Sequence, residues 1–332
     1  MTARSYNRLV LFALVVTLVV IVLGAWVRLT DAGLGCPDWP GCYGELTWPK
    51  TEQSISQANE RWAERPVETG KAIREMVHRY VAGFLGLIVL ALAIFAWQRR
   101  REPGQPVALP LALLGLIIFQ AALGMWTVTL LLKPAIVLAH LLGGLLTFSL
   151  LSWLYWRTRP RPLPVTLPQR RLRIPVLIGL VVLVGQIILG GWVSTNYAAL
   201  ACPDFPTCMG QVWPEQDYRE GFKLWRGIGV DYEGGLLDQP ARMAIHMAHR
   251  LGAVVVLGVF GWLLWLLFRT PRMVRPGAVL ATLLITQITL GLLNVLLGLP
   301  LAVAVAHNGV AALLLGAMVY LLALTTLPTE TR

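Results

Sequence analysis

Eight stretches of this chain are each apolar enough and long enough to cross a bilayer, and they fall into two sets of four that resemble one another. A span needs about 20 apolar residues. Lipid offers the backbone no hydrogen bonds, so runs of this length cross as helices. The runs cover residues 9–28, 74–97, 107–131, 135–156, 174–194, 243–267, 277–298 and 301–324. They predict an all-α membrane protein of eight transmembrane helices, arranged as two pseudo-symmetric four-helix bundles. The expected division is an N-terminal half over 1–157, a linker over 158–173 and a C-terminal half over 174–332. Pro160, Pro162, Pro164 and Pro168 argue against a helix in the linker.

The duplication is legible residue by residue. Leu23-Gly24-Ala25-Trp26-Val27 returns as Leu189-Gly190-Gly191-Trp192-Val193, and Gln120 with Gly124 returns as Gln287 with Gly291. Cys36-Pro37-Asp38-Trp39-Pro40 is answered by Cys202-Pro203-Asp204-Phe205-Pro206. Each half has an even number of spans, so both run in the same sense and the repeat is parallel, about an axis along the membrane normal.

A net charge of +11 in a chain that is 56% hydrophobic invites a nucleic-acid reading, but the placement of the charge excludes it. Arg99-Arg100-Arg101, the basic stretch from Arg157 to Arg173, and Arg269, Arg272 and Arg275 all fall on one side of the membrane with both termini. By the bias of Lys and Arg that side is cytoplasmic. Two loops of about 45 residues, beginning at Thr30 and Thr195, then lie outside, with short turns at Lys133-Pro134 and Leu299-Pro300. The first apolar run is followed by Trp26-Val27-Arg28 rather than a small-residue cleavage site, so it reads as a retained span, not a removed signal. The expected location is the cell (inner) membrane.

All five histidines sit near the outer ends of spans. His78 aligns with His249 and His140 with His307, at offsets of 171 and 167 residues. At 1.5 Å rise per residue these four lie roughly 10 Å below the outer surface. A ligating side chain inside an apolar span is costly and marks a functional site. Two imidazoles at one depth on facing helices of a bundle can hold a haem iron from both sides, so two pairs suggest two haem sites. A hydrogen-bonded core histidine is the ordinary reading for any one of them, but four at matched depth in two repeats argue against it.

Glu75 lies three residues before His78, on the same helix face. Either it sits beside a bound haem or it caps the first turn of its helix. In the second half its place is taken by His246, which is therefore also an alternative ligand. Cys36 with Cys42 and Cys202 with Cys208 are spaced for local disulfides in an oxidising compartment, as structural staples or redox-active pairs. The spacing is unlike a zinc site and no C-x-x-C-H haem attachment is present. Arg79, Arg250, Arg28 and Arg242 can pair with haem propionates or snorkel to the interface. Trp26, Trp39, Trp48, Trp62, Trp192, Trp213 and Trp225 read mostly as an interfacial belt.

With these features the chain resembles the haem A synthase family over nearly its whole length: eight spans in duplicated halves, E-x-x-H on the second span, single ligand histidines on the fourth, sixth and eighth, and Cys-bearing outer loops. The resemblance implies an oxidoreductase that converts the C8 methyl of haem O to the formyl group of haem A by successive hydroxylations. It implies that His78 and His140 hold the substrate haem O, that His249 and His307 hold a permanent haem b, and that Glu75 is the essential carboxylate. The implied partners are haem O and haem A, a haem O synthase, cytochrome oxidase assembly factors and the lipid bilayer, with no nucleic acid and with homo-oligomerisation open. Two other classes compete: a di-haem b-type electron-transfer protein, and a metal-handling transporter or assembly factor. All four ligands on one side leave no electron path across the membrane, which counts against the first. The spans lack a Cys- or Met-rich pathway, which counts against the second.

Overall fold

A computed structural model describes residues 2–159, 165–227 and 229–326. Pro160, Pro162 and Pro164 of the expected linker, like Arg161, lie outside the described residues. Among those described, the regular structure is helical, with only two isolated β-bridges. The helices are α1 (Ala3–Leu29), α2 (Glu52–Arg61), α3 (Thr69–Gln98), α4 (Ala108–Thr129), α5 (Pro134–Thr158), α6 (Leu167–Arg171), α7 (Arg173–Thr195), α8 (Tyr218–Gly221), α9 (Gln239–Phe268), α10 (Val274–Leu296) and α11 (Leu301–Thr326). Eight of these segments are long and apolar enough to cross a membrane, as the sequence predicts.

The helices overrun the apolar runs where polar caps carry them on. α9 starts at Gln239 because the Asp238 carboxylate accepts the backbone N–H of Ala241 and Pro240 occupies the first turn. α4 and α10 instead stop short of the apolar runs. Leu131 and Leu132 take positive φ after α4, as do Gly298 and Leu299 after α10, so each pair of helices closes through a tight turn. The linker differs from expectation. Pro168 does not prevent a helix: it sits in the first turn of α6, where no intrahelical N–H is required of it, and Thr166 with Gln169 closes a capping box. Trp192 also departs from the interfacial belt. It is 3% exposed, and its indole N–H donates to the Gly221 carbonyl.

The same contact ring recurs in both halves. In the first, α1 packs on α3 and α5, and α4 packs on the same two. In the second, α7 packs on α9 and α11, and α10 packs on the same two. The diagonal partners α3 and α5, and α9 and α11, make no close backbone contact. They are the four helices that carry the paired histidines. The halves join through α1 and α5 against α11, and α5 against α7. Separate apolar clusters fill the inner ends: Val10, Leu92 and Leu151 in the first half, Val176, Phe260 and Leu280 in the second.

Outside the spans the loops clasp each other across the repeat. Arg65 of the first loop meets Asp231 at 2.6 Å and Glu233 at 3.0 Å of the second. Lys133, buried in the α4–α5 turn, donates to the Gly227 carbonyl beneath the Trp225 ring. Arg28 donates to the Ser194 carbonyl at 2.6 Å.

Candidate haem sites and the loops above them

Each of the four paired histidines lies against a glycine of a neighbouring helix. A Cβ added to Gly24 would stand 3.1 Å from His78 Cε1, and one on Gly190 would stand 3.0 Å from His249 Cε1. On the other side of each bundle the corresponding distances are 3.5 Å from Gly124 to His140 and 3.2 Å from Gly291 to His307. At Gly24, Gly190 and Gly291 a side chain would crowd the imidazole, whereas at Gly124 a Cβ would reach only ordinary contact. The glycines that mark the duplication are therefore the places against which the rings lie. His78 lies within electrostatic reach of His140, and His249 of His307.

The four rings are half-buried, and the Nδ1 atoms of His78, His140 and His307 are buried without a hydrogen-bond partner. Gln186 Nε2 stands 3.0 Å from His249 Nδ1, and Gln287 Nε2 stands 3.2 Å from His307 Nε2. Paired imidazoles on diagonal helices whose backbones stand apart are donors that would suit a haem iron. His246 is different. It is buried, Cys202 N–H faces its Nδ1 at 3.3 Å and Arg250 Nε–H faces its Nε2 at 3.3 Å. Neither nitrogen is turned toward the bundle interior.

The Glu75 carboxylate is 4% exposed and uses both oxygens. One accepts the backbone N–H of Cys36 at 2.8 Å, and the other accepts from Arg79 at 2.5 Å. Arg79 goes on to donate to the carbonyls of Asp38, Pro40 and Gly41. Glu75 is thus no helix cap: the N-cap of α3 is Glu68. In the second half Arg250 likewise donates to the carbonyls of Cys202, Asp204 and Thr207. Glu75 with Arg79, and His246 with Arg250, pin equivalent loops over equivalent sites.

The loops repeat in detail. Cys36–Cys42 and Cys202–Cys208 are bonded locally, with Cα atoms 4.8 and 4.6 Å apart. Asp38 accepts the backbone N–H groups of Tyr43 and Gly44, and Asp204 those of Met209 and Gly210. The Thr207 hydroxyl, with the N–H groups of Gly210 and Met209, holds the Asp204 carboxyl down to about 2. Loops this short give each disulfide an entropic contribution of about 2 kcal/mol. Non-reducing peptide mapping should recover Cys36 joined to Cys42 and Cys202 joined to Cys208; a Cys36–Cys202 peptide would contradict the pairing.

The arginines divide. Arg79 and Arg250 are committed to loop carbonyls, and Arg28 bridges to Ser194 and lies over the Tyr197 ring. The Nε atoms of Arg242 and Arg74 are buried without a partner. Arg74 was not distinguishable in the sequence, where it is one more basic residue at a span boundary. Its position one turn before His78 was the available signal.

Paired imidazoles in each of two repeated helix sets, under disulfide-closed loops, mark a polytopic membrane protein with duplicated histidine sites. The chain belongs to the COX15-CtaA family, described as cytochrome oxidase assembly protein, whose model matches residues 7–319. It is 46% identical to the haem A synthase of Shewanella oneidensis over 303 residues, 91% of each chain. It is 30% identical to the haem A synthase of Wolbachia pipientis, over 93% of this chain and 89% of that one. Against the haem A synthase of Alkalihalophilus pseudofirmus the identity is 26%, over 98% of this chain and all of the other.

Proposed function

We propose that this protein is a haem A synthase: an oxidoreductase of the membrane that converts the C8 methyl of haem O to the formyl of haem A. The observation that carries the reading is the repeated geometry of four glycine-seated, half-buried histidines on diagonal helices. Family membership and the names of the relatives support it and do not favour the di-haem electron-transfer alternative. His78 and His140 hold haem O as substrate in the half formed by residues 1–157. His249 and His307 hold a resident haem b in the half formed by residues 174–332, and His246 pins a loop rather than ligating iron. The haems supply the iron and the redox-active macrocycle. The chain would supply imidazole nitrogens, an apolar enclosure and, at Arg242 and Arg74, buried N–H donors for propionate carboxylates.

Two routes would serve: one histidine leaves the iron during turnover, or an external electron acceptor takes two electrons from haem O, whose methyl carbon then gains the oxygen of water as two protons are released; the second is the preferred route. Glu75 is the group that orients that water or takes its proton. Haem O arrives from a haem O synthase and haem A leaves toward cytochrome oxidase assembly.

Purified protein tests this reading through its spectrum and extracted haems. Haem O or haem A alongside haem b is the expected content; haem b in both halves and nothing else would favour electron transfer. The proposed orientation has its own check. Reporter fusions after Arg101 should read cytoplasmic and fusions near Lys50 and Tyr218 external, and the reverse pattern would invert the topology.

A further inference from the structure

The halves repeat their histidines and glycines but differ in what stands behind one ring. Gln186 lies one helical turn before Gly190, on the same face of α7. Its amide nitrogen is 3.0 Å from His249 Nδ1 and 3.0 Å from the His249 carbonyl oxygen. Its Oε1 is buried without a partner, and a Cβ on Gly252 would lie 2.1 Å from that oxygen. Gly252 therefore makes the room that Gln186 occupies. At the positions equivalent to Gln186 and Gly252 the first half has Val20 and Val81. Neither can hydrogen-bond through its side chain, and His78 Nδ1 is buried and unpartnered.

We propose that Gln186 is a positioning residue for His249, and that exchange of the Gln186–Gly252 pair for Val20 and Val81 makes the second haem site retentive and the first exchangeable. This rests on the assignment of the resident haem to the second half. An imidazole that ligates iron through Nε2 carries its proton on Nδ1. An acceptor at Nδ1 fixes the ring and raises its basicity; losing such a partner costs about 10–100-fold in metal affinity. The two ends of an amide exchange by a half-turn of its terminal torsion. Turned so, Gln186 accepts from Nδ1–H through the otherwise unpartnered Oε1 and gives up the N–H bond to the His249 carbonyl in exchange. His78 has no such brace, as suits a ring that must release product at each turnover.

The test uses full-length protein carrying its resident haem b, with two readouts: transfer of that haem to excess apomyoglobin, and midpoint potential. Gln186→Val is expected to speed transfer roughly tenfold or more and to raise the potential. Gln186→Glu, a stronger acceptor, is expected to lower the potential below that of the unsubstituted protein. Packing alone would leave the potential in place, so an unmoved potential in both variants overturns the proposal. His249→Ala separates the two levels. If it keeps the resident haem, the assignment of the second half fails. If it loses the haem while Gln186→Val retains it with normal rate and potential, only the role of Gln186 fails.

Discussion

His249→Ala and His307→Ala are each expected to abolish the low-spin haem b absorbance of the purified protein, whereas His78→Ala should leave most of it. Each ring is seated on a glycine of the adjoining helix, so the position is fixed by backbone rather than by an adaptable side chain. No neighbour can take over. His246, three residues from His249, faces Cys202 N–H with one nitrogen and Arg250 with the other. Turning it inward would release the loop it holds. The measurement is haem content per protein with a reduced-minus-oxidised spectrum. Loss of the resident haem from His78→Ala instead would mean that the halves are assigned the wrong way round.

The second large effect is expected at Glu75. Glu75→Gln should preserve expression, the Cys36–Cys42 bond and the resident haem b, yet lose conversion of haem O to haem A. The amide oxygen of Gln can still accept the Cys36 N–H, so the loop keeps that tether, while the pairing of a full carboxylate with Arg79 is gone. What the variant cannot do is accept a proton as the methyl is oxidised and hydrated, and the hydroxylated product of the first oxidation is expected to accumulate. Haem extraction and chromatography read both outcomes. Near-normal haem A from Glu75→Gln would reduce Glu75 to a structural tie between α3 and its loop.

Most of the architecture was legible because membrane helices announce themselves by length and apolarity, and because duplication gives each feature an internal control. Gly24 and Gly190 stood out as repeat marks, but their use as seats for His78 and His249 depends on helix rotation, which sequence spacing does not fix. The partner of Glu75 was hidden for a different reason. Cys36 lies 39 residues away, and a backbone N–H leaves no signature in a sequence. His246 looked like a spare ligand because side-chain chemistry alone cannot say which way a ring faces. Pro168 counts by residue type as a breaker, but its place in a first turn makes it a starter. Gln186 has Val20 as its counterpart in the first half, so the repeat carries no mark of its role.

Conversion itself is the most direct measurement. The chain is expressed in a host that makes haem O but lacks its own enzyme for haem A, and membrane haems are extracted and resolved by chromatography. The expected result is haem A, dependent on His78, His140 and Glu75. Haem O and haem B alone, with the protein folded in the membrane and its resident haem in place, would contradict the account.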